Sequence, residues 1–314
     1  MSRVVRFERY GGPEVLHVVE EPTPGPGPDQ LLVEVRAAGV NQVDWKIRKG
    51  LRATEPLTAP RGLGSDAAGV VVALGEDAEG FAVGDEVIVS GATDAYASHL
   101  LARVRQLTAK PAALSWEAAA GLGIPAGTAY QVLRSLQLTA GEMLLVHGGS
   151  GGVGQAAIQL ARAWGADVVA TASVPNHDRL RELGAIAVEY GPGLLERLRD
   201  AAPDGYDVVL DAAGTEEAFG TSLELVADRS RIATIVDVER ADELGIRAWS
   251  GSRPGYLNDA ERQLRIEAIG VVAALAEEGR FEVEIAARYP LDEASAAHEL
   301  SETGHVRGKI VLLP

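Results

Sequence analysis

Apolar and polar positions alternate in short runs through the first third of the chain. VVRF (4–7), LHVVE (16–20), LLVEVRAAGV (31–40), GVVVALG (69–75), DEVIVSG (85–91) and YASHLLA (96–102) each read as a strand set between turn residues. The connector EPTPGPGPDQ (21–30) carries four prolines and can be neither a helix nor a central strand. From about residue 115 the texture changes: SWEAAAGLGIPAGTAYQVLRSL (115–136) is alanine-rich and helix-like, with a break at 123–125. Strands and helices then take turns: MLLVH (143–147), a helix over 152–164, DVVATAS (167–173), a helix over 177–184, AVEY (187–190), a helix over 194–200, DVVLDAAG (207–214), a helix over 217–227 and RIATIVD (231–237). Such β-then-α units imply a parallel sheet covered by helices on both faces.

Beyond residue 237 the pattern loosens through GIRAWSGSRPGYL (245–257). A long helix over 259–278 follows, with Leu264, Ala268, Val271, Val272 and Leu275 on one face, and GKIVLLP (308–314) closes the chain as a strand. A last strand without a helix after it fits a return to the β-rich part. The expected organisation is therefore an α/β chain with a β-rich domain over 1–120, a doubly wound domain over 121–252, and a return to the first domain over 253–314.

Composition narrows the function. A chain of 314 residues suggests two domains of roughly 150 residues. A net charge of -16, from 29 basic and 45 acidic residues, argues against nucleic acid or an anionic membrane as partner, because either needs a basic face. The absence of cysteine removes disulfides, thiolate nucleophiles and cysteine-ligated zinc or iron–sulfur clusters together. The N-terminal MSRVVRFERYGG has no apolar core of a signal peptide. The window 114–133 contains Glu117 and four glycines or prolines, so it does not read as a membrane span. A cytoplasmic protein is expected.

The chemistry concentrates in GGSGGVG (148–154), between the predicted strand MLLVH and a predicted helix. Gly149, Gly151 and Gly154 form G-x-G-x-x-G, with Ser150, Gly152 and Val153 between them. The pattern alone is weak; a strand before it, a helix opening inside it and a second strand about 20 residues on make it a dinucleotide loop. Glycines suit this place because the chain must turn tightly, let a pyrophosphate approach backbone N–H groups, and pack a helix onto the sheet. Where an NAD site of this type carries a carboxylate, nineteen residues past Gly154, this chain has Ser173. Ser173, Asn176, His177 and Arg179 can instead donate to a 2′-phosphate, which points to NADPH. The alternative for His177, Asp178 and Arg179 is a solvated first turn of helix.

Six runs together carry a resemblance over essentially the whole chain: AGVNQVDWKIRKG (38–50), GSDAAGVVVALG (64–75), VGDEV (83–87), GTAYQVL (127–133), VHGGSGGVGQAAIQLAR (146–162) and HELSETGHVRGKIVL (298–312). The chain resembles the medium-chain dehydrogenase/reductase superfamily and, within it, the zinc-independent NADPH:quinone oxidoreductases similar to zeta-crystallin. The resemblance implies a GroES-like β-rich domain, a Rossmann domain, a cleft between them and a homodimer formed through the Rossmann domains. It puts Asn41 and Thr128 near the nicotinamide and the active cleft, and it lines the cofactor with Ser150, Gly151, Gly152, Val153, Gly154, Ser173, Tyr190, Ile235, Val236 and Asp237. Gly214 ends another strand on the cofactor side, and His177 stands where relatives can carry a basic residue. Asp44, Lys46 and Arg52 lie nearby in sequence and could polarise a carbonyl or relay a proton. Arg52 departs from an aromatic residue often found there in the family, which favours a polar or anionic substrate.

Zinc-containing alcohol dehydrogenases of the same superfamily bind their catalytic metal through a Cys where this chain has Asn41 and a His-Glu pair where it has Ser65 and Asp66. Asn and Ser are poor zinc ligands, and none of the six histidines falls in a ligand cluster, so a metal-free reaction is expected. Without a Lewis acid an alkoxide is hard to stabilise. Hydride transfer to a quinone or to an enone is easier, since the acceptor delocalises its own charge. The leading expectation is an NADPH-dependent quinone reductase. The alternatives are an enone, alkenal or enoyl-thioester reductase, with Arg48, Lys49, Arg52 and Arg61 as candidate phosphate contacts, and a non-catalytic NADPH-binding structural protein or sensor. Tyr96 reads as a packing residue rather than an acid, Trp45 and Trp249 as core or cleft wall, and Arg307 and Lys309 either as contacts that reach a phosphate across the cleft or, as is more usual beside a final strand, as exposed protection of a sheet edge.

Overall fold

The computed structural model describes residues 1–51, 55–249 and 257–314. Arg52 thus lies outside the described residues. The chain divides into two compact units, one made of Met1–Ile124 with Ile269–Pro314 and the other of Pro125–Ala268. The chain crosses between them after residue 124 and again after residue 268, inside a helix.

The first unit runs β1 (Ser2–Arg6), β2 (His17–Glu21), β3 (Gln30–Val40), α1 (Gln42–Arg48), β4 (Asp66–Leu74), β5 (Glu86–Ser90), β6 (His99–Arg103), β7 (Leu107–Ala109) and α2 (Trp116–Ala120). The second holds α3 (Gly123–Ser135), which begins at the crossing, then β8 (Met143–His147), α4 (Gly152–Ala163), β9 (Asp167–Ala172), α5 (His177–Glu182), β10 (Ile186–Glu189), α6 (Leu194–Ala201), β11 (Val208–Asp211), α7 (Glu216–Leu225), β12 (Ile232–Thr234), α8 (Val238–Leu244) and β13 (Arg247–Ala248). Helix α9 (Asp259–Glu277) leads back to the first unit, which ends with β14 (Ile285–Pro290), α10 (Ala294–Glu302) and β15 (Lys309–Leu313).

Strand β3 organises the first unit. Its eleven residues pair with β6 near one end, with β15 near the other and with β4 along most of its length, giving the order β14-β15-β3-β4-β5-β7 with β6 alongside β3. Phe7, Leu31, Val33, Val71, Val87, Val89 and Leu312 form its apolar core. Because β15 lies between β14 and β3, the closing strand is interior. Lys309 is only 6% exposed, which corrects its reading as exposed edge protection.

Among the described residues of the second unit, six strands pair in parallel in the order β10-β9-β8-β11-β12-β13. The chain starts at β8, winds outward through β9 and β10, then returns to β11 and winds the other way. That is the doubly wound order with its switch point between β8 and β11, where such folds bind ligands beyond the carboxyl ends of the strands. Leu144, Leu145, Val146, Val208, Val209 and Leu210 are fully buried, as strands covered on both faces require.

Among the described residues α1, β7, α8, β13, β14 and α10 were not drawn from the pattern. Helix α8 buries only Val238 and Ala241 of its seven residues, and β14 alternates between half-buried and exposed positions, so neither shows a strong apolar period. Strand β12 stops at Thr234, short of the predicted 237, because the N–H of Val236 turns back to the Thr234 hydroxyl (3.1 Å) and Asp237 caps α8 by accepting from the N–H of Arg240 (3.0 Å). Among the described residues no helix is long and apolar enough to cross a membrane.

Candidate functional site

The glycine loop leaves β8 at its carboxyl end. Gly148 turns the chain with φ +77°, and a Cβ there would stand 3.1 Å from the carbonyl of Ala212, just beyond β11. The N–H of Gly149 reaches across to the carbonyl of Thr171 (2.9 Å), which ties the loop to the end of β9. The three motif glycines then meet different surroundings. A methyl group on Gly149 would stand 2.8 Å from Ala170 Cβ, and one on Gly154 would stand 2.4 Å from the Gly148 carbonyl oxygen and 2.7 Å from Gly149 Cα. These two positions are filled by the protein itself. At Gly151, the N-cap of α4, the nearest atom would be 3.7 Å away, so the missing side chain leaves open space in front of the helix N-terminus. Ser150, Gly152 and Val153 complete the turn into α4, and Gln155 Nε2 donates back to the Ser150 carbonyl (3.0 Å). A glycine cradle opening at a helix N-terminus fits a pyrophosphate.

The other cofactor candidates lie at the same edge of the sheet. Ser173 follows β9 directly; its hydroxyl accepts from Asn176 Nδ2 (3.1 Å), and His177 Nε2 lies 3.2 Å from the Ala172 carbonyl. Arg179, on α5, sends Nε and Nη2 to Oε1 of Gln155 on α4 (3.3 Å each), so the guanidinium sits beside the helix that the glycine loop opens. Tyr190 follows β10 and is 53% exposed. Gly214, at φ +67°, follows β11, and a Cβ there would stand 2.6 Å from Val236, which with Ile235 and Asp237 follows β12. Ser173, Tyr190, Gly214 and Ile235–Asp237 thus fall just beyond a strand's carboxyl end, with His177 and Arg179 on the helix that follows β9.

Two buried groups support that edge and were not singled out from the sequence. The Asp211 carboxylate accepts from the N–H groups of Ala213 and Gly214 (both 2.9 Å) and from the Thr234 hydroxyl (2.7 Å), so it holds the turns after β11 and β12. Burial pushes its carboxyl up and these bonds oppose the shift. His147, at the end of β8, lies between Thr171 Oγ1 (3.3 Å) and Thr221 Oγ1 (3.4 Å), and burial pushes its imidazole down to about 4.

In the first unit the predicted catalytic residues Asn41 and Asp44 belong to a buried polar cluster. Asn41, 4% exposed, is the N-cap of α1. Its backbone N–H donates to Asp44 Oδ2 (2.8 Å), its Nδ2 donates to Asp66 Oδ2 (2.9 Å), and its Oδ1 accepts from Lys309 Nζ (2.5 Å). The same ammonium donates to the Val40 carbonyl (2.6 Å). Asp66 also accepts from the N–H of Ile124 (2.8 Å), and Tyr96 donates its hydroxyl to Asp44 (2.8 Å). Since Tyr96 spends its proton on Asp44, its oxygen accepts from His298 Nε2 (3.3 Å), which places the imidazole proton on that nitrogen. Burial raises the Asp44 and Asp66 carboxyls and lowers the Lys309 ammonium; the opposite charges on the two sides resist both shifts. Tyr96 is therefore a hydrogen-bonding member of the cluster as well as a packed core residue. Lys309, Asp66 and His298 join from β15, β4 and α10, and no local motif announces a cluster drawn from such distant positions.

The remaining predictions are placed elsewhere. Lys46 lies over Trp45, 5.6 Å from the ring centroid, and Thr128 is buried on α3 in the other unit. Arg48 and Lys49, suggested as thioester-phosphate contacts, both pair with Glu302 on α10.

These geometries can be set beside known proteins. Residues 27–134 match the model of the alcohol dehydrogenase GroES-like domain, and residues 183–312 match that of the zinc-binding dehydrogenase. A quinone oxidoreductase of Pseudomonas aeruginosa is 34% identical over the full length of both chains. The solved Escherichia coli quinone oxidoreductase complexed with NADPH superposes with a TM-score of 0.85 at 30% identity, covering 100% of each chain. A structure titled NAD-dependent alcohol dehydrogenase gives the same TM-score, 0.85, at 31% identity and 99% coverage of each. A GroES-like unit joined to a Rossmann-type unit defines a dehydrogenase/reductase. The chain belongs to the quinone oxidoreductase branch of the medium-chain dehydrogenase/reductase superfamily and is an oxidoreductase.

The second family model's name raises the question of zinc. The residues here do not fit that ion: the Asn41 carboxamide faces an ammonium on one side and hydrogen-bonds to Asp66 on the other, and a divalent cation beside Lys309 would be repelled. Among the described residues no group of three or more His, Asp or Glu side chains gathers that could hold a metal ion.

Proposed function

We propose that the chain is an NADPH-dependent reductase that passes hydride to a quinone. The observation that carries the cofactor reading is the glycine loop at the switch point, filled by protein at Gly149 and Gly154 and open at Gly151. Backbone N–H groups of 149–154 and the N-terminus of α4 hold the pyrophosphate. Beyond β9, Ser173, Asn176, His177 and Arg179 offer donors where a carboxylate would repel a 2′-phosphate. Tyr190, Gly214, Ile235, Val236 and Asp237 border the same edge and line the rest of the cofactor. When bound, NADPH supplies the hydride.

Asn41 meets the acceptor carbonyl and donates to its oxygen as negative charge builds there. Asp44 works by orientation: its Oδ2 already accepts from the Asn41 N–H and the Tyr96 hydroxyl, so it fixes the first turn of α1. Thr128 and Lys46 stay as candidate contacts on the substrate side. The pairing of Arg48 and Lys49 with Glu302 removes two of the cations that an enoyl-thioester phosphate would use, which supports the quinone over that alternative. NADPH oxidation with 9,10-phenanthrenequinone, a small enone and crotonyl-CoA tests the reading. Turnover of the quinone above the other two is expected; turnover of the enone or the thioester alone would replace it, and no turnover with any would leave a binding protein.

A further inference from the structure

Asn41 is held by its side chain as well as by its backbone N–H. Its carboxamide lies between two groups of opposite hydrogen-bonding character. An ammonium only donates, so Asn41 Oδ1 must face Lys309, which leaves Nδ2 to donate to Asp66 Oδ2. The amide therefore cannot flip. One N–H of Nδ2 goes to Asp66, and the second has no partner among the described residues. Lys309 is itself fixed by the Val40 carbonyl and lies on an interior strand, so it cannot swing away.

We propose that Lys309 is a positioning residue for hydride transfer, locking the Asn41 carboxamide so that its remaining N–H serves as a donor to a carbonyl oxygen. This rests on the reading of Asn41 as a contact of the substrate. The ammonium on Oδ1 also draws electron density from the amide and strengthens its N–H as a donor. A site locked in this way recognises a hydrogen-bond acceptor that gains negative charge, as a quinone or conjugated carbonyl does. The Asn41 carboxamide itself, with its oxygen held by Lys309, turns a donor and not an acceptor toward such a group.

The absence of cysteine makes a direct test possible. Lys309→Cys introduces a single thiol, which can be alkylated in denaturant and the protein refolded. With 2-bromoethylamine the thiolate displaces bromide and gives a side chain of lysine length ending in an ammonium; with 1-bromopropane it gives the neutral counterpart. Wild-type protein carried through the same treatment is the control. The ammonium form is expected to recover wild-type kcat with 9,10-phenanthrenequinone. The propyl form is expected to lose about 10–100-fold in kcat, as when a group that orients a functional ligand is removed, with NADPH affinity unchanged. Equal kcat for the two forms, with Asn41→Ala still lowering kcat, would overturn the role of Lys309 alone. Unchanged kcat in Asn41→Ala would overturn the reading of Asn41 and this inference with it. If the propyl form does not refold, or no acceptor is turned over, NMR of the wild-type protein decides. The Asn41 side-chain amide, identified by its loss in Asn41→Ala, is expected to show one slowly exchanging proton, held by Asp66; two fast-exchanging protons would refute the lock.

Discussion

A methyl group at Gly154 and one at Gly151 should have different consequences, although the two glycines are three residues apart in one motif. At Gly154 the added carbon would lie 2.4 Å from the Gly148 carbonyl oxygen and 2.7 and 2.8 Å from Gly149 backbone atoms. All three are main chain and cannot rotate aside, so the loop must retreat by about 1 Å to reach ordinary contact. Overpacking of this kind costs about 1–3 kcal/mol, and the better helix propensity of alanine returns about 1 kcal/mol, leaving a net loss of roughly 0–2 kcal/mol. The melting temperature should fall by no more than several degrees. Cofactor affinity should suffer more, since a displaced loop loses at least one charge-assisted hydrogen bond of about 1.5–3 kcal/mol, or roughly 10–100-fold in Kd. At Gly151 the backbone (φ −74°, ψ 167°) accepts alanine and the nearest atom is 3.7 Å away, so stability drops only by the N-cap preference, about 0.5–1 kcal/mol. The methyl group would nevertheless occupy the open cradle and push the pyrophosphate from the N–H groups. Thermal unfolding together with fluorescence titration of NADPH separates the two effects. Wild-type affinity in a folded Gly151→Ala protein would refute the placement of the pyrophosphate.

Three further outcomes follow from the same structure. Arg179→Ala should weaken NADPH about tenfold and leave NADH unchanged, read by parallel titrations, because only the 2′-phosphate calls on the guanidinium. Asp211→Asn replaces a carboxylate that accepts from two N–H groups and a hydroxyl, and should destabilise the protein by about 1–3 kcal/mol in denaturant titration. His147 remains neutral in the folded protein down to about pH 4, while the unfolded chain protonates it near 6.5. Its contribution is therefore complete above pH 6.5 and is lost as pH falls toward 4, by about 3 kcal/mol at the lower end. His147→Asn should flatten the pH dependence of unfolding free energy across that window, and an unchanged slope would contradict the burial argument.

The parallel sheet and its loop were legible because their signals are local. Buried strands such as MLLVH and DVVL read as continuous apolar runs, and the glycine spacing sits between one of them and a helix. The serine after β9 was equally readable, since the motif itself says where to look. The polar cluster was half legible. Asn41 and Asp44 lie in one short segment, but their partners Asp66, Tyr96, His298 and Lys309 come from four other segments and meet only when β15 inserts beside β3. Lys309 was misread for that reason: a basic residue opening a C-terminal strand looks like edge protection, and only the pairing of β15 on both sides shows it to be interior. Helix α8 and strand β14 escaped because few of their residues are buried, so the pattern has little periodicity to detect.

The central claim is that the open glycine cradle and the donors after β9 hold NADPH so that hydride can pass to a quinone. Steady-state oxidation of NADPH and NADH by the purified protein, with 9,10-phenanthrenequinone as acceptor, tests it most directly. The account expects turnover with NADPH and a kcat/KM at least about tenfold lower with NADH, the worth of roughly one charge-assisted contact to the 2′-phosphate. Equal kcat/KM for the two cofactors, or no oxidation of either, would contradict it.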